Sequence, residues 1–202
     1  MPTVFSIAGD GNGGEEPSGI VDGAVGLTSA MSGVVHQINM SDGGVPKRPV
    51  DEAFVNVRGL VGDRQTDRKH HGHPSQALCL YSFELIEALQ AEGHSIEPGF
   101  AGENLTLRDV RWETLGPGTR VHIGADVVAE VTDAATPCAK QSRWFADRNY
   151  RRIDEEANPG WNRWYARVVA AGTVRTGDLV VVVDPGAEGD LSVQKSRRSR
   201  SS

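Results

Sequence analysis

The sequence predicts a mainly β fold, a barrel of short strands with a few helices at its edge. Short stretches of β-branched or alternating residues recur through the middle of the chain, from residues 34–39 to residues 179–183. Glycine supplies 24 of the 202 residues and proline another 10, the composition of a chain that turns often. Only two segments between those stretches have helical spacing, which suits a barrel better than βαβ units.

The elements follow in order. The first thirty residues, with Gly9-Asp10-Gly11-Asn12-Gly13-Gly14 near their start, hold too many breakers to pack, and residues 1–30 are expected to form a flexible segment. That glycine run lacks the preceding strand and following helix of a dinucleotide loop. The folded unit is expected over 31–184. Val34-Val35-His36-Gln37-Ile38-Asn39 and Ala53-Phe54-Val55-Asn56-Val57 read as strands, and Ala77-Leu78-Cys79-Leu80-Tyr81 as a strand buried on both faces. Ser82 caps a helix whose Leu85, Ile86 and Leu89 share one face and which stops at Gly93. Residues 120–124 and 127–131 form a hairpin about Ala125-Asp126. A second helix is expected from Pro159 to Gly172, because Trp161, Trp164, Tyr165, Val168 and Val169 recur at helical spacing. The arginine-rich stretch from Trp144 to Glu156 reads as an extension over the site. Leu179-Val180-Val181-Val182-Val183 is the strongest strand, and residues 185–202 read as a disordered basic tail.

Composition narrows the function. A chain of this length buries roughly 70% of its unfolded surface, so it needs no disulfide or structural metal to fold. The net charge of −6 argues against general nucleic-acid binding, which leaves a basic footprint. Two cysteines, Cys79 and Cys138, suit a reducing compartment rather than a disulfide framework. The N-terminus lacks a basic, then apolar, leader, and no run reaches the ~18 apolar residues of a membrane span. A soluble, cytoplasmic protein is expected, with neither membrane nor nucleic acid as partner.

Three clusters can carry chemistry. In Thr136-Pro137-Cys138-Ala139-Lys140-Gln141 a strand runs into a turn stiffened by proline, which presents one cysteine beside Lys140 and Arg143. Cations beside a cysteine favour the thiolate, the form that attacks electrophiles and binds soft metals. The same residue also reads as a small buried hydrophobe. Cys79, centred in an apolar run, reads as core filler. The second cluster is Gly59-Leu60-Val61-Gly62-Asp63-Arg64 and the following Asp67, His70, His71 and His73. It reads as a polar surface loop, as a cradle for an anion, or as a zinc site, though no HExxH or paired-cysteine spacing supports zinc. The third is Gly102-Glu103-Asn104, a turn ahead of a strand. Lys47, in Gly43-Gly44-Val45-Pro46-Lys47, reads alone as a surface lysine.

In combination and order these blocks resemble the MOSC domain family. The resemblance runs through Gly43-Gly44-Val45-Pro46-Lys47, Gly59-Leu60-Val61-Gly62-Asp63-Arg64-Gln65 and His71-Gly72-His73-Pro74. It continues through Gly99-Phe100-Ala101-Gly102-Glu103-Asn104-Leu105 and Thr136-Pro137-Cys138-Ala139-Lys140, then the stretch from Arg167 to Asp178. It implies a mixed, mostly antiparallel closed β-barrel, MOSC or pyruvate-kinase-barrel-like, with a few peripheral helices. It also implies a free-standing member binding a molybdenum–pterin cofactor (molybdopterin), with Cys138 as the molybdenum ligand. Lys47, Arg64, His71, Glu103, Asn104 and Lys140 match motif positions and are implied to bind the cofactor. His71, Glu103 and Asn104 are implied, with Cys138, to serve catalysis by orienting substrate or relaying protons.

Two functions follow. One is an oxidoreductase reducing N-hydroxylated small molecules, such as N-hydroxylated purines or amidoximes. The chain has no flavin, haem or iron–sulfur signature, so a separate reductase would supply electrons. The other is a carrier of the cofactor, or of sulfur as a Cys138 persulfide, delivering it to a cofactor-accepting enzyme. A zinc hydrolase built on Asp67 and the histidines, or a plain binding domain, is a third class.

Overall fold

Seven strands close into a ring, and one of them, ten residues long, seals it. The computed structural model of the protein describes residues 31–64 and 73–183, so the expectations for 1–30, 185–202, Asp67, His70 and His71 lie outside the described residues. The strands are β1 (Met31–Met40), β2 (Arg48–Val50), β3 (Glu52–Asn56), β4 (Gly59–Leu60), β5 (Leu78–Ser82) and β6 (Leu105–Arg108). They continue with β7 (Arg120–Ile123), β8 (Val127–Ala135), β9 (Arg163–Ala170), β10 (Gly172–Arg175) and β11 (Leu179–Val183). The ring runs β1-β11-β7-β8-β9-β5-β6 and back to β1. Within it β5 and β6 pair in parallel, and every other neighbouring pair is antiparallel. The expected barrel is therefore the fold: mixed, mainly antiparallel and closed.

β1 is long enough to hold three partners. Met31 to Val34 pair with β11, Val34 to Ile38 with β6, and Ile38 to Met40 with β2. The register slips between Val35 and Gln37, a bulge that bends the strand without breaking the ring. A separate small sheet, β10-β3-β4, packs beside the barrel. The core is the inward set of strand residues, including Ile38, Leu78, Leu80, Leu105, Val121, Ile123, Val131 and Ala166.

The hairpin about Ala125-Asp126 is present as β7 and β8. The first helix is present too, as α1 (Phe83–Ala91). Ser82 caps it, its hydroxyl accepting from the Leu85 amide at 3.2 Å. Gly93, at φ 92°, ends it in the left-handed region. Besides α1, the described residues hold four short 3-10 turns.

The second expected helix is a strand instead. Residues 163–170 form β9, paired with β8 on one side and β5 on the other. Helical spacing and a half-buried strand both recur at intervals of four, so the apolar positions fit either. The β-branched and aromatic side chains, and two flanking strands with unfilled hydrogen-bonding edges, decide for the ladder.

Candidate functional site

Alternation along two paired strands makes the site. Leu78, Leu80, Ala166 and Val168 belong to the core cluster, so Cys79, Arg163 and Tyr165 turn to the opposite face. Cys79 and Tyr165 lie directly across from each other in the β5–β9 register. A cavity of about 400 Å³ rests on these three residues. Its collar comes from loops: Ser41, Lys47 and Arg64 on one side, Gly102 and Asn104 on another, Thr136, Cys138 and Lys140 on a third.

Cys138 is exposed and its backbone is extended. Two buried side chains hold it there. Gln141 accepts from the Cys138 amide at 2.9 Å through Oε1, while its Nε2 donates to the Ala101 carbonyl. Arg163 Nη1 donates to the same Ala101 oxygen at 2.7 Å, and Nη2 to the carbonyls of Ala135 at 3.3 Å and Thr136 at 3.2 Å. One guanidinium thus ties the end of β8, and the turn leading to Cys138, to the loop before β6. Its planar fork suits three carbonyls at fixed angles, which a lysine could not satisfy together. Arg163 Nη1 also lies 3.9 Å from the Cys79 sulfur. Burial pushes the Cys79 thiol up, and the Arg163 charge opposes that shift only in part.

The opposite side of the collar is a buried ion pair. Lys47 Nζ meets Asp63 Oδ2 at 2.5 Å, and the same oxygen accepts from Asn104 Nδ2 at 2.8 Å. Asp63 Oδ1 accepts from the Ser41 amide at 2.8 Å, and Asn104 Oδ1 from the Cys79 amide at 3.1 Å. A side chain on Gly99 (φ 87°) would come within 2.7 Å of the Lys47 carbonyl, so only glycine lets that loop approach. Arg64 is exposed and pairs with Asp42 at 3.2 Å.

Five of the seven expected site residues line the cavity: Lys47, Arg64, Asn104, Cys138 and Lys140. Arg64 is paired at the surface with Asp42, and two others are engaged within the wall, since Lys47 is neutralised by Asp63 and the Asn104 amide bridges Asp63 to β5. Glu103 does not line the cavity. It is fully buried, with Oε1 accepting from the Gly99 amide at 2.6 Å and the Thr106 hydroxyl at 3.0 Å. Burial pushes its carboxyl above the usual range, against the pull of those hydrogen bonds. His71 lies outside the described residues. Arg143 stands over the Trp144 ring at 5.7 Å and is absent from the cavity wall. Among the described residues no three His, Cys, Asp or Glu gather to hold a metal, and His73 caps a turn at the surface.

Sequence reasoning missed Arg163, Tyr165, Gln141 and the cavity-facing role of Cys79. The first two fell inside the segment read as a helix, where their shared strand face was invisible. Gln141 stands three residues after Cys138, the spacing of a capping box, which was a usable signal.

Set beside known proteins, the chain matches a family model described as "MOSC domain" over residues 67–181. A protein named "Uncharacterized protein YflK" from Bacillus subtilis is 27% identical over 157 residues, covering 77% of this chain and 69% of that one. A protein named "Reductase" from Gibberella moniliformis is 29% identical over 137 residues, covering 65% of this chain but 24% of that one. The crystal structure of YiiM from Geobacillus stearothermophilus superposes with a TM-score of 0.60 at 20% identity, over 75% of each chain, a likeness of fold. No helix among the described residues is long and apolar enough to cross a membrane.

Proposed function

The chain belongs to the MOSC domain family, whose members are associated with molybdenum-cofactor binding, and we propose that it binds this cofactor through Cys138 to reduce N-hydroxylated small molecules. The observation that carries this reading is one exposed thiol at the edge of a cavity of about 400 Å³ whose described lining holds four cationic side chains and no carboxylate. That volume lies in the range of cofactor pockets. The donor set fits the group: a thiolate is a soft ligand for molybdenum, and arginine and lysine suit a pterin phosphate. Gln76 Oε1 and Arg163 Nε, both on cavity-lining residues, have no hydrogen-bond partner among the described residues, which leaves polar capacity for a bound molecule.

Cys138 would ligate the metal, with Arg163 and Gln141 fixing where its sulfur points. Arg64 and Lys140, at the rim, would meet the phosphate, while Lys47 keeps its charge balanced by Asp63 and shapes the wall. When bound, the cofactor supplies two-electron reduction of the substrate, fed by a separate reductase. Asn104 holds the wall in register rather than relaying protons, because both ends of its amide are occupied.

Protein made in a cofactor-competent host should carry about one molybdenum and one pterin per chain and reduce an N-hydroxylated purine with a viologen donor. Cys138→Ala should lose both the metal and the turnover while keeping its melting temperature, since the side chain is exposed. Full metal retention in that variant would refute the ligand assignment. The exposure of Cys138 also favours a second reading, a carrier handing over cofactor or persulfide sulfur. That reading expects cyanide-releasable sulfur on Cys138 and no turnover.

A further inference from the structure

We propose that the separate electron donor is a small acidic electron-carrier protein, and that it docks on the cationic strap of residues 140–148 beside the cavity mouth. This rests on the reductase reading above and names its partner. Reduction of an N-hydroxylated compound follows R₂N–OH + 2e⁻ + 2H⁺ → R₂NH + H₂O. The N–O bond breaks, an N–H bond forms, and the protons come from water. Two electrons per turnover must reach the centre held at the Cys138 sulfur, and a one-electron carrier brings them in two visits.

Residues 139–152 hold five cations, Lys140, Arg143, Arg148, Arg151 and Arg152, against one carboxylate, Asp147, in a chain whose net charge is −6. Two of the five are spent locally. Arg152 binds Glu92 at 2.6 Å and lies over the Trp161 ring, and Arg151 pairs with Asp154 at 3.3 Å. Lys140, Arg143 and Arg148 are exposed and form no ion pair among the described residues. Lys140 and Arg143 stand three apart in the 3-10 turn Ala139–Trp144, where side chains at that spacing eclipse, so both lie on one face of it. Gln141 and Phe145 are buried, which turns the cationic face outward. The Arg148 amide donates to the Phe145 carbonyl at 3.0 Å, a tight turn that keeps Arg148 beside that face. The Asp147 carboxylate accepts from the Asn149 amide at 2.9 Å.

The strap leads directly to the site. Lys140 lines the cavity, and the exposed Cys138 stands two residues before it. Arg143 and Arg148 lie outside the cavity wall, so their charge remains for a partner while Lys140 meets the phosphate. Beneath Arg143 the half-buried Trp144 packs on Phe100, with ring centroids 4.3 Å apart. Phe100 precedes Ala101, whose carbonyl holds both Gln141 and Arg163, the side chains that fix the Cys138 turn. A protein seated on this face therefore comes beside the exposed sulfur and over an aromatic pair anchored to its support. Charge selects the partner. An acidic protein is repelled by the net charge of the chain as a whole and drawn to the one strap whose cations lack carboxylates, which orients it on approach.

The test uses cofactor-loaded full-length protein and an acidic flavodoxin as the probe. It compares wild type with Arg143→Lys, which keeps the charge, and with Arg143→Glu/Arg148→Asp, which reverses it; aspartate tolerates the left-handed φ of 63° at position 148. Calorimetry should show wild type binding oxidised flavodoxin at low salt and losing it steeply as salt rises. The double variant should bind roughly tenfold more weakly, and its KM for reduced flavodoxin should rise by a similar factor. Its molybdenum content and its kcat with saturating viologen should not change, and Arg143→Lys should behave as wild type. Flavodoxin affinity and KM within about twofold of wild type in the double variant would overturn the assignment, because reversed charges in a docking face cost far more. Tighter binding of wild type to anionic phospholipid vesicles than to flavodoxin would overturn it by assigning the strap to a membrane surface. Loss of molybdenum from the double variant would overturn it by assigning those arginines to the cofactor. Absence of viologen turnover in wild type would instead bring down the reductase reading, and this docking role with it.

Discussion

The floor of the cavity and its rim are built on opposite principles. On the floor, Arg163 and Gln141 are buried and fixed by hydrogen bonds to backbone carbonyls, Arg163 placed by the register of β9 and Gln141 by the short 3-10 turn that follows Cys138. On the rim, Arg64 and Lys140 are exposed and come from a loop and a short 3-10 turn, and Arg64 pairs with another exposed side chain, Asp42. Buried, multiply bonded groups set geometry, because moving them leaves carbonyls without partners. Exposed cations set charge, and they can follow a ligand of varying shape. The Cys138 sulfur belongs to the rim by exposure and to the floor by attachment.

Replacing Arg163 with alanine should break the floor outright. The Ala135 and Thr136 carbonyls lose their Arg163 donor and the Ala101 carbonyl is left with Gln141 alone, a cost of about 3 kcal/mol in urea unfolding, since each bond to a charged donor is worth about 1.5–3 kcal/mol. A loss below about 1 kcal/mol would mean that those carbonyls find other partners and that the floor is not rigid.

A smaller effect distinguishes the buried layer beneath the floor. Glu103 has its carboxyl raised in the folded state above the ordinary 4.5, so its contribution to stability is fully present below pH 4.5 and is lost as pH rises through the raised value. Glu103→Gln cannot ionise. The stability difference between the variant and wild type should therefore shift in the variant's favour from pH 4 towards neutrality, measured by urea unfolding at each pH. A flat difference would place the Glu103 carboxyl in its ordinary range. The smallest effect belongs to the rim. Arg64→Ala should change stability by about 0–1 kcal/mol, as exposed ion pairs do, while weakening cofactor retention in a salt-dependent manner.

The same division explains what was legible in the sequence. The rim and the cysteine turn were readable because their chemistry is local: Pro137 beside Cys138, Gly43-Gly44 before Lys47, Gly62-Asp63 before Arg64. The closed barrel was readable from strand-like stretches and the order of motifs. Arg163 and Tyr165 were not, since their function depends on β9 lying between β5 and β8, a pairing that joins residues far apart in the chain. Tertiary pairing overrode a local pattern that fitted a helix equally well. Glu103 failed in the other direction. It was read from a motif position, and the turn points its carboxyl inward, to Gly99 and Thr106, a direction that a motif does not encode.

The three partners of β1 tie two distant events together. Its first half zips the seam against β11 and β6, and just past Ile38 the chain delivers the Asn39 amide to Asn104 and the Ser41 amide to Asp63. A molecule seated against Lys47 and Arg64 therefore pulls on the same ribbon that keeps the seam shut. Filling the cavity should quiet the breathing of a junction on another part of the barrel, with nothing touching that junction at all.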